Sequence, residues 1–179
     1  ASNARALSVV TYNEVCNMAY QGAKVIHPRA VEIAMAAKVP IRIRSTYSDG
    51  MGTLVTSLHK ENKGSDIRER LVTGIAHLNN ISQIRVQAKK DQYDVQSEVF
   101  KAMANAHISV DFINISPNGA VYTVSEEMTD KAIDVLREIG YEPSVTRNCA
   151  KVSVVGGGIA GVPGVAAKFV ASLYKKGIQ

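Results

Sequence analysis

Two short stretches of the sequence combine residue types that bind a small zwitterion. The first runs from Asp91 to Gln96 and leads into a helical pattern, where the free N–H groups of a helix start attract a carboxylate. An ammonium group on the same ligand needs an acid, for which Asp91, Asp94 and Asp111 are the candidates. The helix start predicts a site for a carboxylate, and the three acids are candidates to bind a cationic group of the same ligand. A plain solvated loop is the alternative.

The second stretch, from Gly161 to Val165, places similar chemistry at the start of another helical pattern. Pro163 suits the first turn of a helix, and Gly164 lets a ligand approach the backbone. The glycines at 156–158 are not followed by the Lys-Ser/Thr of a nucleotide-binding loop. Close packing of a strand against a helix is the alternative explanation for these glycines.

A third candidate is Lys24, which lies shortly before a predicted helix start. Phosphoryl transfer needs cations beside the phosphates, because negative charge spreads over several oxygens in the transition state. A solvated lysine next to a turn is the alternative. His27 directly precedes Pro28, where it is expected to cap or pack against the helix rather than to catalyse.

The elements around Lys24 predict a small α/β region over residues 1–57. Thr11 and Glu14 have the spacing of a capping box, and Gly22 is a suitable end for the helix that follows. A second helix is predicted from Pro28 to about residue 37. Short strands are predicted at 41–44 and 53–55, and a highly charged linker at 58–71.

From residue 81 the predicted order is strand, helix, strand, strand, helix, strand. This is the ferredoxin-like βαββαβ arrangement of an α+β protein. Ser125 is the predicted N-cap of its second helix. The strands are predicted at 81–86, 108–115, 120–124 and 143–147, and the helices at about 95–106 and 126–139.

The helical pattern repeats after 70 residues. Val95 then aligns with Val165, and Met103 with Leu173. A strand at 152–155 and a helix from Pro163 belong to this second copy, which stops after its first helix. We therefore expect tandem modules at 72–150 and 151–179, the second truncated, and a chain that is a fragment of a longer protein.

The composition excludes several classes of protein. With 46% apolar and 21% charged residues in 179, the chain can bury a core and is not disordered. The net charge of +5 includes no run of more than two basic residues, and tryptophan is absent, which disfavours nucleic-acid binding. No apolar run is long enough to span a membrane. The two cysteines, Cys16 and Cys149, lie far apart, so we expect no metal site and a cytoplasmic location.

Several motifs together resemble those of aspartate kinases. Residues 22–30 are similar to the G-A-K-V-L-H-P stretch of that family, and 39–41 and 52–55 stand where it has I-P-[IV] and G-T-L. Residues 72–76 resemble the opening of its regulatory region, and 155–165 its V-G-x-G-M…P-G-V signature. The resemblance covers nearly the whole chain and is closest to the diaminopimelate-sensitive members of Bacillus-like bacteria.

The resemblance implies a parent enzyme that uses ATP and Mg²⁺ to convert L-aspartate into 4-phospho-L-aspartate in lysine and related amino-acid biosynthesis. Residues 1–57 would be the C-terminal end of an amino-acid-kinase domain, with Lys24 at the nucleotide. The family's Lys-Phe-Gly-Gly start and its aspartate site do not occur in these 179 residues. This fragment is therefore expected to contain no catalytic residue, to bind no cofactor and to be inactive alone.

The resemblance also implies that the modules are ACT domains, which bind an end-product amino acid and inhibit the kinase. Diaminopimelate, lysine and threonine are the candidate effectors. Many members have D-x-P-G-E-A where this chain has the sequence of residues 91–96, so the first module is expected to bind a different effector or none. The predicted effector contacts are Asp91, Gln92, Tyr93, Asp94, Val95, Gln96, Ser109, Val110, Asp111, Asn114, Ile159, Gly161, Val162, Pro163, Gly164 and Val165.

Two other functions are alternatives to this one. A stand-alone amino-acid-sensing module of another system would have no use for residues 1–57. An RNA-binding ferredoxin-like sheet would need exposed aromatic side chains, and Phe112 is the only one in the strand predicted at 108–115. Uncovered strand edges favour a homodimer, and the strands at 81–86 and 108–115 are the candidate edges.

Overall fold

A computed structural model describes residues 5–57, 71–89, 94–156, 159 and 161–178. The predicted linker, except residue 71, lies outside the described residues, as do Asp91, Gln92 and Tyr93 of the predicted effector loop. The chain divides into two compact units, one formed by residues 1–77 and 152–179 and the other by residues 78–151. The domain boundaries drawn from the sequence stay predictions. None of the helices in the described ranges has the length and apolar character that a membrane crossing requires.

The first unit contains a three-stranded sheet. Its strands β1 (Val9–Thr11), β2 (Ile41–Ile43) and β3 (Thr53–Thr56) lie in the order β1-β3-β2, with β1 parallel and β2 antiparallel to β3. Helices α1 (Tyr12–Tyr20) and α2 (Pro28–Ala36) belong to the same unit. The core of this α/β layer is formed by buried side chains of both helices and two strands: Val10, Tyr12, Val15, Cys16, Val31 and Val55.

Local sequence sets where these helices begin. The Thr11 hydroxyl accepts a hydrogen bond from the Glu14 N–H at 3.2 Å, and the Glu14 carboxylate accepts one from the Thr11 N–H at 2.9 Å. The predicted capping box is therefore confirmed. At α2, the His27 Nδ1 accepts a hydrogen bond from the Arg29 N–H at 3.2 Å, so His27 is a helix cap, as expected.

The second unit is built on a four-stranded sheet. Strands β4 (Gly74–Gln87), β5 (Asp111–Ser116), β6 (Gly119–Ser125) and β7 (Ser144–Val155) lie in the order β5-β6-β4-β7. Helix α3 (Val95–Asn105) connects β4 to β5, and α4 (Thr129–Glu138) connects β6 to β7. This is the predicted ferredoxin-like order. A fifth helix, α5 (Val165–Tyr174), follows β7.

Three strand predictions need correction. The segment predicted at 81–86 is part of the much longer β4, which lies between β6 and β7 and so offers no free edge. Of the two candidate dimer edges, only the one predicted at 108–115 falls on an outer strand. The strands predicted at 143–147 and 152–155 are one strand, β7. Asn80 and Asn148 have left-handed backbones (φ 57° and 55°) inside β4 and β7. Such residues interrupt the two-residue alternation from which strands are predicted.

The core of the second unit lies between the sheet and its two helices. The register of β4 on β6 pairs Ile84 with Tyr122, and both side chains are fully buried. The rings of Phe100 and Tyr122 meet edge to face with centroids 5.5 Å apart. Burial raises the pKa of Tyr122, whose hydroxyl has no hydrogen-bond partner among the described residues. The helices contribute Val95, Val99, Met103, Ala132 and Leu136 to this core.

A polar network connects β4, the start of α4 and β7. The buried Ser82 hydroxyl donates to Glu126 at 2.6 Å, and the buried Thr129 hydroxyl donates to Ser82 at 2.9 Å. Arg147 forms ion pairs with Glu126, at 3.3 Å, and with Asp130. The Ser82 hydrogen bond lowers the pKa of Glu126 most, and the Asn148 N–H and Arg147 lower it further.

Helix α4 begins later than predicted. Residues Glu126–Met128 form a 3₁₀ turn after Ser125, and the Ser125 side chain makes no capping hydrogen bond. The Thr129 hydroxyl, which donates to Ser82, also lies 3.3 Å from the Ser125 carbonyl oxygen. The turn therefore holds Glu126 in place for the network before the α-helix starts.

We predict that Glu126→Gln reduces the acid sensitivity of folding. The folded-state pKa of Glu126 is lowered, so its carboxylate stabilises the fold above the ordinary glutamate pKa of about 4.3. That contribution is lost as the pH falls through the lowered pKa. Glu126→Gln should lower the free energy of unfolding at pH 7 and flatten its decline at lower pH. Urea unfolding between pH 7 and pH 3 measures both. Glu127→Gln, at an exposed neighbouring position, is the control; identical pH profiles for the two variants would contradict the prediction.

Candidate functional site

Asp111 opens the outer strand β5 at a backbone irregularity. Asp111 pairs with Thr123 and Asn114 with Val121, so three steps along β5 match two along β6. This is a β-bulge, and Phe112 within it has a left-handed φ of 46°, uncommon for a residue with a side chain. The Asp111 carboxylate accepts the Phe112 N–H at 2.7 Å. The bulge leaves backbone groups outside the regular ladder on an exposed strand.

Lys151 of β7 pairs with this aspartate. Its Nζ donates a hydrogen bond to Asp111 Oδ2, with 12% of the Lys151 side chain exposed against 59% of the Asp111 side chain. Lys151 lowers the pKa of Asp111 most, and the Phe112 N–H lowers it further, against partial burial that raises it. The Asp111 carboxylate therefore stays charged, and an internal ammonium group already neutralises it.

The start of α3 lies at the other end of β5. Gln96 Nε2 donates to the Ser116 carbonyl at 2.8 Å, while Asp111 is five residues away along the strand. At about 3.3 Å per residue this separation is roughly 16 Å. The ammonium and α-carboxylate of an amino acid are joined through one carbon atom. The structure therefore does not bring Asp111 and the α3 start together around those two groups of one ligand.

The other predicted contacts in this unit divide between core and surface. Val95 is fully buried and Val110 packs against the same core, so both have structural roles. Asp94 is the N-cap residue of α3, but its side chain makes no capping hydrogen bond. Exposed side chains are found at Asp94, Ser109 and Asn114.

The backbone before α5, in the first unit, has unoccupied space around its glycines. Helix α5 begins at Val165, and Gly164 is its N-cap with φ 85°. Pro163 therefore precedes the cap rather than occupying the first turn, because a left-handed residue cannot continue a right-handed helix. A Cβ added at Gly161 or Gly164 would meet no atom within 4 Å. Exposed residues Val162 and Pro163 and half-buried Ile159 complete this segment.

Lys24 lies in the turn between α1 and α2. Its side chain is exposed and has no ion-pair partner among the residues that the structure describes. It borders a concave surface with a volume of about 330 Å³. An exposed cation beside a concave surface can bind an anionic group. The lining residues are Ala19, Ala23, Lys24, Val25, Ile26, His27 and Pro28.

Comparisons with known proteins agree with this arrangement. A family model described as "ACT domain" matches residues 144–179. Aspartokinase 1 of Bacillus subtilis is 64% identical over 98% of this chain, which covers 44% of that protein. The regulatory subunit of aspartate kinase from Thermus thermophilus, in its ligand-free form, is 31% identical with a TM-score of 0.52, over 60% of this chain and 78% of that one. The chain belongs to the aspartate kinase family.

The curated aspartokinases that match this chain are longer than it. The chain spans less than half the length of the curated relatives it matches. The fold also matches that of E. coli aspartokinase III in complex with lysine and aspartate, in the T-state. That structure is 24% identical with a TM-score of 0.72, over 96% of this chain and 39% of that one.

The ACT-domain match covers β7 and α5, and it therefore includes the predicted second copy at 151–179 together with the last strand predicted for the first module. Val95 and Val165 are the first residues of α3 and α5, so the 70-residue shift overlays the two helices at their first residue. The fold class predicted for this aspartate kinase chain, ferredoxin-like ACT modules with an α/β layer before them, is confirmed.

Sequence reasoning missed Lys151 and Thr123 as neighbours of Asp111. The Thr123 hydroxyl donates to the Asp111 carbonyl at 3.0 Å, and Lys151 is 40 residues from Asp111 along the chain. Both contacts depend on how distant strands are arranged. The sequence analysis includes Asp111 among the candidate acids, but no local pattern points to its partner.

We predict that Gly164→Ala destabilises the first unit. Its backbone is left-handed, and an alanine there costs about 1–2 kcal/mol although space is available. Gly50→Ala is the matched control, because Gly50 has no left-handed backbone and an added Cβ would meet only the Ser48 hydroxyl at 3.7 Å. Urea unfolding of both variants measures the difference. Equal stabilities would mean that the left-handed conformation at residue 164 is not required.

Proposed function

We propose that the whole protein is an aspartate kinase that transfers the γ-phosphoryl group of ATP to the side-chain carboxylate of aspartate, with Mg²⁺. The observation that carries this proposal is the 64% identity to Aspartokinase 1 over nearly the whole chain. Residues 1–57 are proposed to be the end of the kinase domain, with Lys24 beside the nucleotide phosphates. We propose no catalytic residue within these 179 residues, and the transfer belongs to the whole protein.

The ACT region is proposed to control this reaction by binding an end-product amino acid. The complex of E. coli aspartokinase III with lysine and aspartate supports an amino acid as the effector. A ligand shifts the balance between an active and an inactive state only if it binds one of them more tightly. Diaminopimelate, lysine and threonine are the proposed effectors, and the cytoplasm is the proposed location.

The effector ammonium is proposed to bind Asp111. The exposed carboxylate, the left-handed Phe112 and the bulge before Asn114 support this position, because irregular backbone on an outer strand offers N–H and C=O groups to a ligand. The α5 start, from Gly161 to Val165, is proposed as a second place for a ligand carboxylate. Residues 91–96 stay proposed effector contacts at the α3 start, separate from the Asp111 position. Ser109 and Val110 stay proposed contacts next to Asp111 in the chain.

A stand-alone sensor of another system is the alternative function. No observation favours it, since the α/β layer of α1, α2 and β1 to β3 matches the same kinases as the rest of the chain. We therefore propose that the ACT region and a kinase domain belong to the same protein.

We predict that Asp111→Asn weakens effector binding about tenfold, because a charged hydrogen bond at a partly exposed site is lost. Isothermal calorimetry with the full-length protein would test diaminopimelate, lysine and threonine in turn. Asp134→Asn, at an exposed position on α4, is the control. If one ligand binds the wild type and Asp111→Asn equally well, the site is wrong. If none binds the wild type, the effector proposal fails.

We also propose a homodimer in which the outer strand β5 of one chain lies beside that of another. All six residues of β5 are exposed, and Phe112, Ile113 and Ile115 are apolar. Ile113→Lys should shift the 179-residue chain towards monomer in sedimentation equilibrium at tens of micromolar, since charge on an outer strand opposes edge pairing. Ile139→Lys, at an exposed position after α4, is the control. A wild type that is monomeric, or an Ile113→Lys dimer as stable as wild type, would contradict this interface.

A further inference from the structure

The Asp111–Lys151 ion pair places an ammonium group where the effector's ammonium is proposed to bind. Both carboxylate oxygens of Asp111 are engaged, one by the Phe112 N–H and the other by Lys151 Nζ. Lys151 is mostly buried, whereas Asp111 is mostly exposed. The lysine therefore approaches from the protein side, and the solvent side of the carboxylate is left for a ligand.

A neutralised carboxylate attracts a second cation less than a bare one. The attraction between Asp111 and an incoming ammonium is offset by repulsion from Lys151, and partial burial makes both effects stronger than in water. An incoming ammonium must either share Asp111 with Lys151 or displace it. In both cases the affinity for a ligand falls below that of an unpaired aspartate in the same place.

We propose that Lys151 is a built-in competitor of the effector, which sets the ligand concentration at which Asp111 is occupied. This inference rests on the proposed effector site at Asp111. Lys151 acts through Asp111 and is a positioning residue rather than a ligand contact. Only ligands that bring a cationic group to Asp111 compete with Lys151. Compact amino acids with a free ammonium group are such ligands.

Asp111 can exchange its Lys151 partner for a ligand ammonium group while its own main chain stays in place. Thr123 holds the Asp111 main chain through its hydroxyl, so the aspartate keeps its position when its side-chain partner changes. The lysine stem has several rotatable bonds, so its ammonium group can move away while its backbone stays in β7.

The test is calorimetry on the full-length protein with diaminopimelate, lysine and threonine as the probes. Four proteins are compared: wild type, Lys151→Met, Asp111→Asn and the double variant. Lys151→Met keeps the length and apolar contacts of the stem but removes the charge, and should bind a probe about tenfold more tightly than wild type. The gain should vanish in the double variant, because without the Asp111 carboxylate there is nothing to compete for.

Two further variants separate this effect from general changes. Lys101→Met removes the same charge from an exposed position of α3 and should leave the affinity unchanged. Lys151→Gln should also tighten binding, so the test does not depend on whether methionine is tolerated. Thermal unfolding of each variant confirms that it is folded before titration.

The outcomes distinguish this inference from the function on which it rests. If a probe binds the wild type and the Lys151 variants bind it equally, the competitor role is wrong while the effector site stands. Weaker binding by those variants also overturns it and assigns Lys151 to the ligand carboxylate. If Lys151→Met binds a probe and the wild type does not, the competitor role is supported. If no probe binds wild type or variant, the effector function is wrong, and the competitor role is overturned with it.

Discussion

The pairing of β4 with β6 is the constraint on which the second unit depends. Its register sets Ile84 opposite Tyr122 and Val86 opposite Ala120, and all four side chains are buried. A shift of one residue would turn this apolar set to the other face of the sheet, where α3 and α4 could not cover it. Because this register extends over seven consecutive pairs, the rest of the sheet can contain irregular residues without loss of the fold. Left-handed residues other than glycine occur in β4, β5 and β7, and none of them lies within the seven pairs of β4 with β6, where Gly119 at the start of β6 has a positive φ.

The candidate effector site lies on β5, an outer strand that can contain irregular backbone without loss of the β4–β6 register. An outer strand has only one neighbour, so a bulge there disturbs one ladder rather than two. Phe112 holds a left-handed conformation that a central strand would accommodate less easily, and the apolar residues around it remain exposed. Strained backbone of this kind is found at ligand sites more often than elsewhere. The observed strain and the exposed acid point to the same end of β5, which is why the proposed function places the effector there.

Several acidic side chains of the second unit form ion pairs with basic side chains. Asp111 is paired with Lys151, and Glu126 and Asp130 with Arg147. The two groups of pairs differ in what surrounds the acid. Glu126 receives the hydroxyl of a buried serine and belongs to a network that connects three elements, so it is expected to support the fold. Asp111 has the more exposed side chain and one mostly buried cation, so a small cationic ligand can compete for it. The net charge of +5 alone would not separate these roles.

The sequence by itself determined the presence of the helices, the capping box that begins α1, the 70-residue repeat and the family. These depend on residues a few positions apart, such as Thr11 with Glu14, or on patterns that repeat along the chain, so neighbouring residues carry the whole signal. Only the tertiary structure decided that β4 lies inside the sheet, that β7 is one strand, and that the α3 start is far from Asp111. It also decided that Asp111 meets Lys151. Residues 40 positions apart are brought together by the order and register of strands, and that order is set by burial of the whole core rather than by the residues that meet.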